Sequence, residues 1–364
     1  MDLKSIKNLD QEARILKYRL LNSIRIISFA IQNLIMEIIH IFGDSNIDLF
    51  YNASATDELK KIKGKLGDEI RKNIIKVKNG EDVEVYHIPK GIKNTLEKIK
   101  SQRSVGGCAA NKALLMAKLG KNEVKVFLHS IIGKDRKGDF ILKEFERYNV
   151  DTKYIKRVGR TYKTYNIHIG NKRLAYSEWK PPRFSIKKLD GIILLTGSHR
   201  IKKSMGYSKM AKKMDAYVFT GSFATYSKSD LKRKYKNDLK FGRLVCNGDE
   251  LKYLIRAFKP RLAYYRNRKK AIQKWAKEFA LIRRDELIIH DSFISCMSNG
   301  EKIIVSKPKI INEKDMKCIT GMGDVWEAAY ILARIKGKSI KESMDRAHKI
   351  AGYFIKNCKL PNKI

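Results

Sequence analysis

Thr320-Gly321-Met322-Gly323-Asp324 stands immediately before the apolar helical run from Val325 to Ile335. A threonine, two glycines and an aspartate opening a helix place bare backbone N–H groups and a carboxylate at one helix N-terminus. Unpaired N–H groups and the positive pole of the helix dipole favour an anion there, and glycine lets a phosphate approach the backbone with no Cβ in the way. Asp324 would then lie beside the anion as a base. The competing reading is an ordinary helix cap, for which Gly and Asp are common choices.

The elements that must position this turn follow from hydrophobic periodicity. Apolar positions at helical spacing, among them Ile15, Leu16, Leu20, Ile24, Ile27 and Ile31, predict an N-terminal helical segment over residues 1–37. Glu37 to Gly43 then reads as a buried strand feeding the loop Asp44 to Asp48. Residues 51–100 read as a charged insertion with short strands such as Glu84 to Ile88, and Lys112 to Leu119 as a helix closed by Gly120. Tyr165, Ile167, Ile169 and Leu174 alternate in a strand-like way within 163–178. Beyond them, Ile192–Leu195, Ala216–Phe219, Arg243–Cys246 and Glu286–Ile289 are short apolar runs separated by basic helical stretches. That order describes a parallel sheet with helices on both faces, in which ligands bind beyond the carboxyl ends of the strands.

Length and composition bound the rest. The 364 residues can bury a large core, and 43% are hydrophobic. No uncharged apolar run reaches eighteen residues, because Gln32, Asn33 and Glu37 interrupt the greasiest stretch, so a membrane span is not expected. The N-terminus lacks a signal-peptide pattern, and the expected location is cytoplasmic. Five scattered cysteines with no C-x-x-C pair predict reduced core thiols, with neither a disulfide framework nor a zinc site. The 78 Lys and Arg against 38 Asp and Glu give a net charge of +40, which attracts polyanions without marking a site. The most basic stretch, Arg256 to Lys277, interleaves Arg261, Arg266, Arg268, Lys269 and Lys270 with Tyr264, Tyr265 and Trp275. It reads either as an RNA-binding face or, the favoured reading, as a solvated amphipathic helix.

Taken in order, four motifs make the chain from about residue 38 onward resemble the ribokinase-like (PfkB-type) superfamily of sugar kinases. They are Asn46-Ile47-Asp48, Gly106-Gly107 with Asn111, Asn247-Gly248-Asp249-Glu250 and Gly321-Met322-Gly323-Asp324. A fifth segment, Gly133-Lys134-Asp135 through Gly138 to Val150-Asp151-Thr152, resembles the family's first-half signature. The likeness implies an α/β, ribokinase-like three-layer sandwich with a mostly parallel central sheet and a small β lid contributed by segments near 51–100 and 163–178. It implies that Asn46, Asp48, Gly106, Gly107 and Asn111 bind the acceptor. It assigns Asp324 as the base, with Gly321, Met322 and Gly323 forming the anion hole. Asn247, His290, Thr320 and Gly323 would meet the nucleotide, with Glu250 holding Mg2+ through water.

Within the superfamily the chain resembles most the ADP-dependent glucokinase and phosphofructokinase branch, on Arg173-Leu174-Ala175, Leu194-Leu195-Thr196-Gly197 and Ile288-Ile289-His290-Asp291. The branch's H-x-E motif, expected near Thr220-Gly221-Ser222, lacks its glutamate here. The implied reaction is phosphoryl transfer from a nucleotide, ADP or ATP, to a sugar or sugar phosphate, with Lys112, Arg173 and Arg200 as candidates to hold a phosphate already on the sugar. The alternatives are a nucleoside kinase of the same fold, or a decayed kinase fold that binds RNA through its basic surface.

Overall fold

The computed structural model describes residues 36–79, 83–170, 172–178, 189–196, 216–219, 229, 231–232, 242–264, 267–283, 286–318 and 320–361. Its first strands are β1 (Glu37–Phe42), β2 (Asn46–Tyr51), β3 (Val83–Tyr86), β4 (Gln102–Gly106) and β5 (Val124–His129). There follow β6 (Ile131–Ile132), β7 (Val150–Asp151), β8 (Lys156–Arg157), β9 (Lys163–Ile169) and β10 (Lys172–Ser177). The last six are β11 (Ile192–Leu195), β12 (Tyr217–Phe219), β13 (Arg243–Asn247), β14 (Leu287–His290), β15 (Ser295–Ser298) and β16 (Ile303–Ser306). The α-helices are α1 (Ser54–Lys60), α2 (Gly64–Lys78), α3 (Lys90–Leu96), α4 (Cys108–Gly120) and α5 (Arg136–Arg147). In the second half they are α6 (Gly248–Phe258), α7 (Arg268–Arg283), α8 (Met322–Ile335) and α9 (Ile340–Asn357).

Nine strands form the central sheet in the order β16-β15-β14-β13-β12-β11-β1-β5-β7. All pairs from β14 to β7 are parallel, and β15 and β16 add an antiparallel edge. Strand side chains alternate between faces. Leu194, Val245 and Ile288 therefore enter one core with α4, α8 and α9, whereas Ile193, Leu195, Leu244, Cys246, Leu287 and Ile289 enter the other with α6 and α7. This is why these runs are apolar throughout instead of alternating with polar residues: both faces are covered. Each fully buried Leu or Ile contributes about 1.5–3 kcal/mol. The chain leaves β1 for a separate lobe, returns through α4 to β5 on one side, and later reaches β11 on the other. The crevice beyond the carboxyl ends of β1 and β11 is thus a topological switch point, where an open α/β sheet leaves room for a ligand.

The separate lobe is a five-stranded sheet, β3-β10-β9-β2-β4, with Tyr51, Tyr165, Ile167, Leu174 and Tyr176 packed against α1, α2 and α3 in a core of their own.

Several sequence expectations change. Where a charged insertion with short strands is expected, the described residues of 51–100 contain three α-helices beside the strand β3, because Ile70, Ile74 and Val77 of α2 recur at helical spacing and bury onto the lobe sheet. Asn46-Ile47-Asp48 is the start of β2 and not a loop, pairing with β4 and β9. The helix expected from Lys112 begins at Cys108, and Gly120 is inside it; the left-handed cap is Lys121, with φ 46°. Residue 37 belongs to β1, and the N-terminal segment before residue 36 lies outside the described residues.

The expectation of five reduced thiols is also corrected. Cys318 and Cys358 form a disulfide across 40 residues, with Cα atoms 5.2 Å apart, and Cys108, Cys246 and Cys296 remain free. Periodicity and spacing could not reveal this pairing, because it depends on α9 folding back so that the Ile355 carbonyl accepts hydrogen bonds from the Lys317 and Cys318 N–H groups. Alkylation under denaturing, non-reducing conditions should therefore label three cysteines, and all five after reduction; five labels without reduction would exclude the bridge.

Candidate active site

Helix α8 begins at Met322 on a left-handed Gly321, whose φ of 85° suits a residue without Cβ. Among the described residues no heavy atom lies within 4 Å of where a Cβ on Gly321 would be, so none of them covers this side of the turn. The first helical hydrogen bond runs from Val325 N–H to the Gly321 carbonyl at 3.0 Å, leaving the N–H groups of Met322, Gly323 and Asp324 ahead of the ladder. A Cβ on Gly323 would stand 3.2 Å from His290 Cε1. Glycine here lets the end of β14 approach the helix start.

Asp324 is held by residues of a different helix. Lys112 Nζ, on α4, lies 2.5 Å from Asp324 Oδ1 and 2.7 Å from Glu327 Oε2. Asn111 Nδ2 approaches Asp324 Oδ2 at 3.5 Å. Glu327 in turn pairs with His290 Nε2 at 3.0 Å, and the His290 ring stacks on Trp326. Burial opposes the charges of Lys112, Glu327 and His290. The two carboxylates nevertheless raise Lys112 well above its ordinary pKa, Lys112 and His290 lower Glu327, and Glu327 raises His290. Lys112 is 3% exposed and committed to two carboxylates, so it is not available to a phosphate on a sugar, contrary to its candidacy from sequence. Arg200 lies outside the described residues.

The lobe sheet contributes the opposite wall. Strand alternation that sends Tyr165 and Ile167 into the lobe core sends Thr164 and Asn166 to the other face, where Asp48 and Ser177 stand in register with Thr164 and alternation adds Asn46 and Arg173. Asn46 Nδ2 donates to Thr164 Oγ1 at 2.6 Å and to Asp48 Oδ1 at 3.1 Å, and Arg173 Nη1 donates to Asn166 Oδ1 at 3.3 Å. Gly106 and Gly107 are required underneath. A Cβ on Gly106 would meet the Asp48 carboxylate at 2.2 Å, and one on Gly107, at φ 95°, would meet the Asp44 carbonyl at 2.6 Å and Asn46 Oδ1 at 2.8 Å. Asp44 Oδ1, Asn46 Oδ1 and Asn166 Nδ2 are buried without a hydrogen-bond partner among the described residues. Unsatisfied buried polar atoms are costly, and their clustering fits a ligand rich in hydroxyl groups.

At the end of β13, Asn247 and Glu250 form a capping box: Asn247 Oδ1 accepts from Glu250 N–H at 2.8 Å, and Glu250 Oε2 accepts from Asn247 N–H at 2.9 Å. The motif thus builds the start of α6. Arg268 bridges Asp249 and Asp291 beside it. Among the described residues no three His, Cys, Asp or Glu side chains are grouped as a metal cage. That donor set fits magnesium only in its usual manner at phosphates, carried mainly by phosphate oxygens and waters with Glu250 reached through water. In the first-half signature, Asp135 caps α5 through Gly138 N–H at 3.0 Å and binds Thr161 N–H and Oγ1 at 3.0 and 2.6 Å. Burial opposes the Asp135 charge, but these bonds outweigh it and hold its pKa at about 2. This signature's role is structural.

The sequence-predicted residues are therefore linked by contact. Asn247 pairs with His290 across the sheet, His290 with Glu327 on α8, Asp324 with Asn111 and Lys112 on α4, and α4 begins beneath Asn46 and Asp48. Thr320 directly precedes the turn, whereas Thr220, Gly221 and Ser222 lie outside the described residues. Sequence reasoning missed Asp44, Thr164, Asn166 and Glu327. The alternating Thr164-Tyr165-Asn166-Ile167 and the lone acid inside an apolar helix were their signals. Of the aromatics in the basic stretch, Trp275 is 4% exposed, with Nε1 donating to the Leu262 carbonyl at 2.6 Å, and so is not available to stack on a base. Tyr265 and Arg266 are not among the described residues.

Burial pushes the Asp44 carboxyl up to about 6 and that of Asp48 to about 7, with Arg173 only partly offsetting the latter. A carboxyl whose pKa rises on folding stabilises the fold below its unfolded value near 3.8 and loses that contribution as pH rises through the folded value. Asp48→Asn should therefore melt above the wild type at pH 8, and the gap should narrow as pH falls below about 7 and close only near pH 4. A gap that does not change with pH would show that Asp48 is not charged at cost.

Residues 81–178 match the model of the pfkB family of carbohydrate kinases. No curated protein matches the sequence. Among solved structures the chain is similar to ribokinase from Thermotoga maritima, at 15% identity and a TM-score of 0.59, over 90% of this chain and 96% of that one. It is also similar to adenosine kinase from Anopheles gambiae in complex with di(adenosine-5) tetraphosphate, at 11% identity and a TM-score of 0.65, over 88% and 96% of the two chains. Ribokinase from Cryptococcus neoformans var. grubii serotype A in complex with ADP gives 17% identity and a TM-score of 0.62, over 88% and 94%. These identities speak for the fold, and with the nine-stranded sheet and its separate lobe they establish that this chain has the ribokinase-like fold, with a pfkB-type segment at residues 81–178.

Proposed function

We propose that the protein is a kinase that transfers a phosphoryl group from a nucleotide, ADP or ATP, to an alcohol of a sugar, sugar phosphate or nucleoside. What supports this reading is that a helix start whose first N–H groups precede the ladder, a carboxylate beside it and a hydroxyl-matching polar wall are linked through Asn111 and the start of α4. Asp324 Oδ1 is taken by Lys112, which leaves Oδ2 to accept the acceptor's proton. The N–H groups of Met322, Gly323 and Asp324 suit the negative charge that spreads over the transferring phosphoryl oxygens. Asn46, Asp48, Asn166 and Asn111 suit acceptor hydroxyls, and the lobe that carries Asp48 would exclude water as a competing acceptor. Magnesium bound at the nucleotide would supply further neutralisation of phosphate charge.

The similar structures include kinases of both sugar and nucleoside, so acceptor class is the open axis of this proposal. ADP as donor rests on the likeness of Arg173-Leu174-Ala175 and Ile288-Ile289-His290-Asp291 to the ADP-dependent branch. Melting the protein with ADP, ATP or AMP plus magnesium, then with sugars and nucleosides, should reveal stabilising pairs, since a ligand at a hundred times its Kd adds about 2.7 kcal/mol. Product formation with the best pair should fall by a factor of roughly a hundred or more in Asp324→Asn, with the melting temperature nearly unchanged. No nucleotide shift at millimolar concentration and no transfer to any acceptor would refute the kinase reading; tight RNA binding that weakens steeply with salt would replace it.

A further inference from the structure

Lys112 is an unusual residue to find where it is. A lysine almost never becomes fully buried without pairing, and this one inserts from α4 between two carboxylates on successive turns of α8, with its ammonium 4.7 Å from the centre of the Phe219 ring. One carboxylate would suffice to neutralise it. The second, Glu327, costs further desolvation, and it is itself fixed from β14 by His290. An arrangement of four ionisable groups from three elements, two of them acids on one helix face, calls for an explanation other than packing.

We propose that Lys112 is a positioning residue for the reaction proposed above, clamping Asp324 Oδ1 so that only Oδ2 faces the acceptor alcohol, while Glu327, held by His290, keeps Lys112 in place when Asp324 becomes protonated. The alcohol O–H bond breaks and its proton goes to Asp324 Oδ2. The alcohol oxygen bonds to phosphorus as the bond from phosphorus to the nucleotide's leaving oxygen breaks. At that moment Asp324 is neutral and no longer a counterion. Without Glu327 the Lys112 ammonium would be buried with no opposing charge, a state that would resist the proton transfer. With Glu327 the pair persists, and Asp324 changes charge without displacing its neighbour. The groups facing this centre are Cys108 and Asn111 from α4, His290 from β14, Glu250 from α6, Asp44 from the β1–β2 connection and His348 from α9.

This inference rests on the kinase reading for its purpose but not for its geometry, and the test separates the two. Lys112→Met alone would strand Glu327, so the principal variant is Lys112→Met with Glu327→Gln, which removes both charges together. Its kcat should fall roughly ten- to a hundredfold with the nucleotide KM within about twofold of wild type. The deficit should persist at saturating nucleotide and acceptor, because the base is misoriented and the substrates still bind. In parallel, crystal structures of the wild type and the double variant, with no substrate needed, should show the Asp324 carboxylate clamped in the first and turned away in the second. An unmoved Asp324 carboxylate overturns the clamp, as does an unchanged kcat in an enzyme that turns over. Lost melting temperature with an unmoved Asp324 carboxylate would make Lys112 merely structural and also overturn it. A wild type that transfers no phosphoryl group, while its Asp324 carboxylate still turns in the double variant, sinks the kinase reading and leaves the clamp.

Discussion

A parallel sheet buried on both faces cannot carry polar chemistry within its strands, and this constraint organises the molecule. Ile193, Leu195, Leu244 and Ile289 on one side and Leu194, Val245 and Ile288 on the other leave polar groups to the strand ends. The chain reverses its direction of growth at β1, so connections diverge there and a crevice opens beyond Phe42. Into that crevice come the start of α4, the start of α8 and the ends of β13 and β14. Each brings the residue types that suit a strand end or a helix start: glycine, asparagine, aspartate and histidine.

The lobe obeys the complementary rule. Its sheet is covered by helices on one face only, so period-two alternation yields a polar face with Asp48, Thr164, Asn166 and Ser177 and an apolar face with Tyr165, Ile167, Leu174 and Tyr176. Asn46, Thr164, Asn166 and Ser177 of this face are buried, amide and carboxyl atoms beside them lack hydrogen-bond partners among the described residues, and burial raises the Asp44 and Asp48 carboxyls. Such a face suits a hydroxylated ligand. The di-glycine turn has a plain steric reason: Asp48 and Asn46 lie on it closer than any Cβ permits.

Much of this was legible from residue order. Apolar runs ending in Asn247 and His290 marked β13 and β14, and the glycines before Asp324 marked the start of α8. Helices α1 and α2 were less legible, because their charged faces hide a three- to four-residue apolar repeat that only the lobe sheet makes use of. The antiparallel β15 carries Ser295, Cys296, Met297 and Ser298, a composition with little strand character, and forms because β14 offers it an edge and the β-branched β16 pairs with its other side. Trp275 appeared exposed beside arginines but is core, since its side of α7 faces the sheet.

Sequence alone determined the three-layer α/β arrangement and the nature of the turn before α8, because hydrophobic period and glycine placement are local properties that neighbours within a few residues express. Only the tertiary structure decided that Lys112 belongs to Asp324 and Glu327, that His290 holds Glu327, and that Cys318 meets Cys358. Those pairs span 212, 215, 37 and 40 residues. In a chain with 78 basic residues no local pattern distinguishes the one lysine that is buried between two carboxylates. Its partner is chosen by how α4 and α8 pack on a common face of the sheet, and that choice exists only once the core has formed.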